Sequence, residues 1–332
     1  MEIGSIESGK ISIKILTTNE VSLTILTSDE MKDEVVYPGA AANRVSGEHG
    51  LALIITIEDG QQTKSILLDS GGLAGTIFEN AKQLGVNLHE VDKLVLSHGH
   101  FDHYGSLPQL IPELKEGCEF YLSPNCFLQL YTAIKKNGQE IPPEELPVAL
   151  KKQKDAFAIS RKMPSLSKTL IDNLAKENGI KIIETSEPVN LHSGVITSGQ
   201  IELFDEQEIT KGFYIMKSRK EYEKHSFRDE TSIYINIKDK GLVVITGCGH
   251  CGVINTIKHA QKLTGVDTLY AIIGGFHEEW NPAEVIETKV RFLEGLNPKI
   301  TCGMHCTGFE FNKIMSRHPS HVIGVVGTEF KV

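Results

Sequence analysis

Residues 97–105 read Ser-His-Gly-His-Phe-Asp-His-Tyr-Gly, which places His98, His100, Asp102 and His103 within six positions. Imidazole nitrogens and a carboxylate this close together form a donor set suited to first-row divalent cations. Alternate side chains of an extended segment share a direction, so His98 and His100 can converge on one cation. Gly99 between them lets the backbone approach closely or take positive φ. Asp102 and His103 are adjacent, so the chain must turn there, and this pair can face a second cation beside the first. A polar loop that merely happens to be histidine-rich is the plainer reading. Four such donors directly after a strand make it the weaker one.

Further histidines follow the same rule of placement. His250 lies in Thr246-Gly-Cys-Gly-His-Cys-Gly252, His277 ends Ile272-Ile-Gly-Gly-Phe-His, and His305 lies in Thr301-Cys-Gly-Met-His-Cys-Thr-Gly308. Each comes just past a short apolar run. A single such histidine is better read as a core residue satisfied by hydrogen bonds; three of them at strand ends beside glycines are not. Glu48 and His49 follow a Gly/Ala/Asn-rich stretch, where they either reach the mouth of a site and act on substrate or form a surface pair. Asp69, in Leu68-Asp-Ser-Gly71, reads on its own as a turn or helix-cap carboxylate.

The elements that position these groups can be placed from periodicity and turn residues. Strands are expected at Lys10–Leu16, Val21–Leu26, Leu51–Ile57 and Lys64–Leu68, with a helix from about Ala74 to Leu84. The run 91–97 is a short buried strand leading into the histidine loop, so a rigid scaffold aims the loop. Ser232–Ile237 and Leu242–Thr246 flank Asp239-Lys240-Gly241 as a hairpin. Helices at Val253–Leu263 and about Pro282–Leu296 alternate with strands at Leu269–Ile273, near Ile300, and at His321–Val326. Two mixed sheets covered by helices accommodate this order. Residues 112–220 differ in texture, with frequent lysines, Pro142, Pro143, Pro147 and Pro164, and an amphipathic stretch at Leu166–Lys176. They are expected to be an insertion, either covering or lining the site or forming a solvated helical appendage.

The chain has 332 residues, 40% of them apolar and 23% charged, with a formal charge of −9. This is an ordinary soluble composition with room for a large core. The acidic balance argues against nucleic acid and anionic membrane surfaces as partners. No apolar run approaches a membrane span, and the first residues lack the basic-then-apolar pattern of a signal peptide. A cytoplasmic protein acting on a small-molecule substrate is expected, its six cysteines kept reduced.

His-x-His-x-Asp-His with two more distant histidines resembles the metallo-β-lactamase superfamily. Glu48-His-Gly-Leu51, Leu68-Asp-Ser-Gly71, the histidine loop, Thr246-Gly-Cys-Gly-His250, Gly274-Gly-Phe-His277 and His305-Cys-Thr-Gly308 resemble in particular the subgroup named for 7,8-dihydropterin-6-ylmethyl-4-(β-D-ribofuranosyl)aminobenzene-5′-phosphate synthase. The resemblance covers roughly residues 10–110 and 190–330. It implies a single α/β domain over 1–332, a four-layer αββα sandwich with the metals at one edge between the sheets. It implies that His98, His100 and His250 hold one metal and Asp102, His103 and His305 the other, with Asp69 bracing the ligand loop. One or two divalent ions follow, zinc fitting best and iron or manganese also suiting mixed His/Asp ligation. Many members carry a bridging Asp after the strand that here ends at Ile273. This chain offers Gly274, Gly275, Phe276 and His277, so either the second metal is held more weakly, or His277 substitutes as a ligand, or His277 faces substrate.

The activity implied is a metal-dependent hydrolase that directs a metal-activated water at an ester, phosphoester or related bond, with Asp102 orienting that water or taking its proton. The subgroup's name implies instead a transferase that condenses a dihydropterin diphosphate with ribofuranosylaminobenzene 5′-phosphate. A third reading comes from Cys248-Gly-His-Cys251, whose strand-to-helix context is that of a thiol–disulfide oxidoreductase. Cys248 and Cys251 could also pair with Cys302 and Cys306 around a structural zinc or iron–sulfur group. Both cysteine readings rank below packing or support of the ligands, and Cys118 and Cys126 read as buried residues.

Overall fold

Alternation within the strands sorts their side chains into separate cores. Leu53 and Ile55, Ile66 and Leu68, Val243 and Ile245, and Ile273 all enter one buried cluster. The intervening Ile54 and Leu67 join a second cluster, and Leu242, Val244 and Ile272 a third. A period of two with both faces apolar means sheets covered on both sides. The computed structural model, which describes residues 3–136, 138–151, 157–218 and 221–332, shows this arrangement.

One eight-stranded sheet runs, edge to edge, through Val35–Val36, Glu329–Lys331, Ile11–Thr17, Ala52–Asp59, Gln62–Leu68, Lys93–Val95, Glu119–Leu122 and Lys181–Glu184. A six-stranded sheet runs through Asn190–His192, Val195–Thr197, Ile233–Ile237, Gly241–Thr246, Leu269–Gly274 and Ile300–Gly303. The first cluster lies between the two sheets. The helices Thr76–Gln83 and Lys168–Glu177 bury Ile77, Ala81, Ile171 and Ala175 on the outer face of the large sheet. Val253–Thr264 and Ala283–Leu296 do the same for the other through Val253, Ile257, Ala260, Ile286, Val290 and Leu293. The result is the expected four-layer αββα sandwich.

The strand pairs Gln62–Leu68 with Lys93–Val95, Gly241–Thr246 with Leu269–Gly274, and Leu269–Gly274 with Ile300–Gly303 are parallel. Their C-terminal ends therefore open on a common edge of each sheet. Asp69, the histidine loop, His250, His277 and His305 all follow such ends, the usual place for a site in parallel sheets.

Three sequence expectations need correction. Val21–Leu26 forms no strand, and Val21, Leu23 and Leu26 are exposed, so this β-branched run lacks a sheet edge to pair with. At 321–326 only an isolated bridge from His321 to Thr301 forms, and the last strand is Glu329–Lys331. Residues 112–220 also divide between two places. Glu119–Leu122 and Lys181–Glu184 are strands of the large sheet, because their apolar residues complete its second core. Leu130–Lys135, Phe157–Lys162 and Phe213–Ser218 build, with Glu221–Lys224, a separate four-stranded sheet. Residues 137, 152–156 and 219–220 of that segment lie outside the described residues. Among the described residues no helix is long and apolar enough to cross a membrane.

Candidate metal centre

The histidine loop is held by tight backbone packing. A Cβ at Gly99 would lie 2.3 Å from Cys126 O, closer than any side chain tolerates. His98 and His100 flank this contact and are both buried. Beyond the loop, Phe101–Tyr104 makes one helical turn, which brings Asp102 and His103 round to the same centre. The turn after Thr246 is equally close: a Cβ at Gly247 would lie 2.2 Å from Ser97 Oγ, and Gly249 takes φ +69°.

His98, His100 and His250 meet with ring centroids 4.6–4.8 Å apart. His250 Nε2 lies 3.1 Å from His100 Nδ1. His98 Nδ1 engages Ser97 Oγ at 2.9 Å, and its Nε2 is buried with no hydrogen-bond partner among the described residues. On the other side of the centre, Asp102 Oδ2 lies 3.2 Å from His305 Nε2 and 3.9 Å from His103 Nε2. His103 Nε2 lies 3.0 Å from Cys248 Sγ. The ligand atoms of Asp102, His103, Cys248 and His305 lie within 4.8 Å of one another, as do those of His98, Cys248 and His250. Buried nitrogens with no partner, facing one another and a carboxylate, are what a bound cation would satisfy. The cluster fits a divalent metal.

The electrostatics agree with that fit. Burial, reinforced by the neighbouring imidazoles, holds His98, His100 and His250 well below the usual histidine range, so they are neutral with free lone pairs. Burial alone would raise Asp102, but contacts with His305 and His49 outweigh it and keep the carboxylate ionised.

A ring of buried acids holds the ligands from behind. His103 Nδ1 donates to Asp69 Oδ2 at 2.6 Å, while Asp69 also accepts from Ser97 N and Ser97 Oγ, each at 2.7 Å. Asp69 itself sits at φ +62°. Burial pushes its carboxyl up to about 8 although the Ser97 hydrogen bonds pull it down. Asp229 accepts from Gly99 N at 2.9 Å and contacts His225 Nε2 at 3.1 Å. Glu230 accepts from His250 N and Cys251 N, both at 2.6 Å. Asn19 holds the backbone carbonyl and Nδ1 of His305, both at 3.2 Å. Phe227 stacks on His250 at 4.3 Å and Phe213, from the small sheet, stacks on His100 at 5.1 Å. Sequence reasoning found Asp69 and missed Asp229, Glu230, Asn19 and the two phenylalanines. The acidic pair directly ahead of the strand Ile233–Ile237 was the one available signal.

The remaining candidates separate. His49 is exposed at the mouth, 3.3 Å from Asp102 Oδ2, with its ring 4.8 Å from that of His305. Glu48 turns the other way: its carboxylate accepts from Ala74 N, Thr76 N and Thr76 Oγ1 and so caps the helix Thr76–Gln83. His277, at φ +49°, packs its ring 4.4 Å from His250 and, like His100, joins neither group of ligand atoms among the described residues. Cys251 is buried and bonds Phe227 O at 3.5 Å. Burial pushes the thiols of Cys248 and Cys251 well above the usual range, which disfavours thiol–disulfide exchange. Of the four cysteines once considered together, only Cys248 enters the groups of ligand atoms among the described residues.

Residues 48–116, which contain the histidine loop, match the sequence profile of the metallo-beta-lactamase superfamily. The 7,8-dihydropterin-6-methyl-4-(beta-D-ribofuranosyl)-aminobenzene-5'-phosphate synthase of Methanocaldococcus jannaschii is 31% identical over 269 residues, covering 79% of this chain and 82% of that protein. The chain belongs to the metallo-beta-lactamase superfamily. Two solved structures share the superfamily fold. Tm1679, described as a metal-dependent hydrolase of the beta-lactamase superfamily, superposes with a TM-score of 0.68 at 20% identity, covering 97% of this chain and 99% of its own. Zn(2+)-bound PqqB from Methylobacterium extorquens superposes at 0.51 and 12% identity, covering 97% and 100%. This member of the metallo-beta-lactamase superfamily is an enzyme, and hydrolase and transferase chemistry both fit it.

Proposed function

We propose that the chain is a two-metal hydrolase of small ester or phosphoester substrates, with zinc the best-suited ion. The observation that carries this reading is the convergence of six donors from three separate strand-end loops. In it His98, His100 and His250 hold one divalent ion, and Asp102, His103 and His305 the other. The ions would supply Lewis acidity toward the substrate oxygen and lower the pKa of a coordinated water toward neutrality.

The chain's own residues have distinct parts. Asp102, ionised and reaching both His305 and His49, orients the attacking water or takes its proton. His49 stands where substrate enters and can hold a hydrogen bond to it. His277 packs beside His250 and faces substrate. Phe213 and Phe227 wall the centre and limit water, and through Phe213 the small sheet takes part in lining the site. Six free, buried cysteines are in keeping with a reducing, cytoplasmic setting.

One observation favours a second reading. The methanogen relative is named as a synthase, so the same centre would promote condensation of a dihydropterin diphosphate with ribofuranosylaminobenzene 5′-phosphate. A carbon–nitrogen bond forms there between the pterin methylene carbon and the aniline nitrogen, the carbon–oxygen bond to the diphosphate breaks with its electron pair leaving on the diphosphate, and the nitrogen loses a proton. The test is to assay zinc-loaded enzyme on phosphomonoesters, phosphodiesters, carboxylic esters and lactones, and in parallel on the two synthase substrates. Turnover on the panel alone supports hydrolysis, and coupled diphosphate release supports the transfer. No turnover on either set overturns both.

A further inference from the structure

We propose that Cys248 is a metal ligand shared by the two cation positions, its thiolate lying between them. This rests on the two-metal reading above. The starting observation is geometric. The ligand atoms fall into two groups, Asp102–His103–Cys248–His305 and His98–Cys248–His250, and the sulfur is the one atom common to both. It lies 3.0 Å from His103 Nε2, close enough for both atoms to turn toward one ion. On the opposite side, His98 is fully buried, a ring nitrogen of it lies within 4.8 Å of the same sulfur, and its Nε2 is without a partner among the described residues.

The strand end beside Cys248 carries no side chain to place in this gap at 274 or 275. A Cβ at Gly274 would lie 2.2 Å from Thr246 O, and one at Gly275 would lie 2.8 Å from Cys306 Sγ and 3.1 Å from Cys248 Cα. The neighbouring strand end therefore cannot send a carboxylate into the centre from either position. Glycine at 247 and 249 keeps the turn close to Ser97 and Gly275, which aims the intervening side chain inward. Cys251 and Cys306 do not compete for the place: their sulfurs bond Phe227 O at 3.5 Å and Cys248 O at 3.4 Å.

Thiolate is a softer, more strongly donating ligand than carboxylate, so a sulfur here selects zinc, cobalt or iron over magnesium and calcium. Binding would release the thiol proton to solvent, because metal ligands act deprotonated. The plainer reading of the same contact is an S–H···N hydrogen bond from Cys248 to His103 that serves packing alone.

The test uses full-length protein loaded anaerobically with Co(II) or Zn(II). The expected results are two ions per chain, a near-ultraviolet thiolate-to-cobalt charge-transfer band, and a sulfur scatterer about 2.3 Å from zinc in X-ray absorption. Cys248→Ser should abolish the band and leave one tightly bound ion. The double variant Cys251→Ser/Cys306→Ser should keep band and sulfur scatterer, which also decides the assignment should Cys248→Ser not fold. Two bound ions with nitrogen and oxygen scatterers only, or a band lost in the double variant, would overturn the role of Cys248 while leaving the two-metal reading intact. Failure of the unaltered protein to bind either ion would sink both.

Discussion

Glu230 Oε1 accepts a hydrogen bond from His250 N at 2.6 Å, and its other oxygen accepts from Cys251 N at the same distance, so one buried carboxylate fixes the whole turn that carries a ligand. Its neighbour Asp229 does the same for Gly99 N in the histidine loop. Two consecutive residues thus hold two loops that are some 150 positions apart in the chain. Positioning of metal ligands from behind is typically worth ten- to a hundredfold in affinity.

Glu230→Gln keeps the shape of the side chain but turns an NH2 toward one of two backbone donors. One buried N–H then loses its acceptor, at a cost of about 1–3 kcal/mol. Zinc affinity is expected to fall by about ten- to a hundredfold, measured by chelator competition, while the secondary structure seen by circular dichroism is unchanged.

Asp69→Asn tests the brace on His103. The amide cannot accept from Ser97 N, Ser97 Oγ and His103 Nδ1 together, so the imidazole loses its fixed tautomer. Metal bound by Asp102, His103 and His305 should weaken, while the ion on His98, His100 and His250 is retained; stoichiometric titration separates the two.

Gly99→Ala forces a methyl against Cys126 O, where 2.3 Å is available. Backbone cannot yield as a side-chain tip can, so the loop must move. A loss of stability of about 1–3 kcal/mol is expected, together with loss of metal, read from thermal unfolding and metal content. Gly265→Ala, with open space but φ +73°, should lower stability without touching metal content.

Removing metal should destabilise the fold. A ligand at a thousand times its Kd adds about 4 kcal/mol, and chelation should lower Tm by roughly 10 °C for a domain of this size. Calorimetry with and without chelator checks this, and His100→Ala should show a much smaller shift.

Acid sensitivity away from the centre has a source at Asp92. Burial raises Asp92, but hydrogen bonds from Lys115 Nζ at 2.6 Å and Ser65 N at 2.9 Å, with Lys64 nearby, hold it below the usual range. A depressed pKa means that its contribution is present above the unfolded value near 4 and is lost as pH falls through the folded value. Asp92→Asn should therefore lower stability at neutral pH and flatten its decline below pH ~4, measured by denaturant titration across that range.

The clustering of the candidate donors was legible in sequence because they are local or carry a local signature. Four donors sit in one loop, and His250 and His305 follow apolar strands beside glycines that a close turn requires. The residues behind them were not legible. Asp229 and Glu230 act on backbone 130 and 20 positions away, and the acidic pair itself does not say where in the chain its partners lie. Two mixed sheets covered by helices followed from strand-rich blocks alternating with helices, and their four-layer order from the family resemblance. The four-stranded sheet did not, because strands such as Phe213–Ser218 and Glu221–Lys224 end in or consist of exposed polar residues, which weakens the alternation. Val21–Leu26 shows the converse, since strand-forming residue types without a neighbouring edge stay irregular.

The central claim is that the converging imidazoles and Asp102 hold the ions on which turnover depends. Metal analysis of protein purified without added metal, set beside the same measurement and the substrate panel for His100→Ala, tests it most directly. The account predicts bound divalent metal and turnover in the unaltered protein, and loss of both in the variant. Undiminished turnover by a metal-free His100→Ala protein would contradict it.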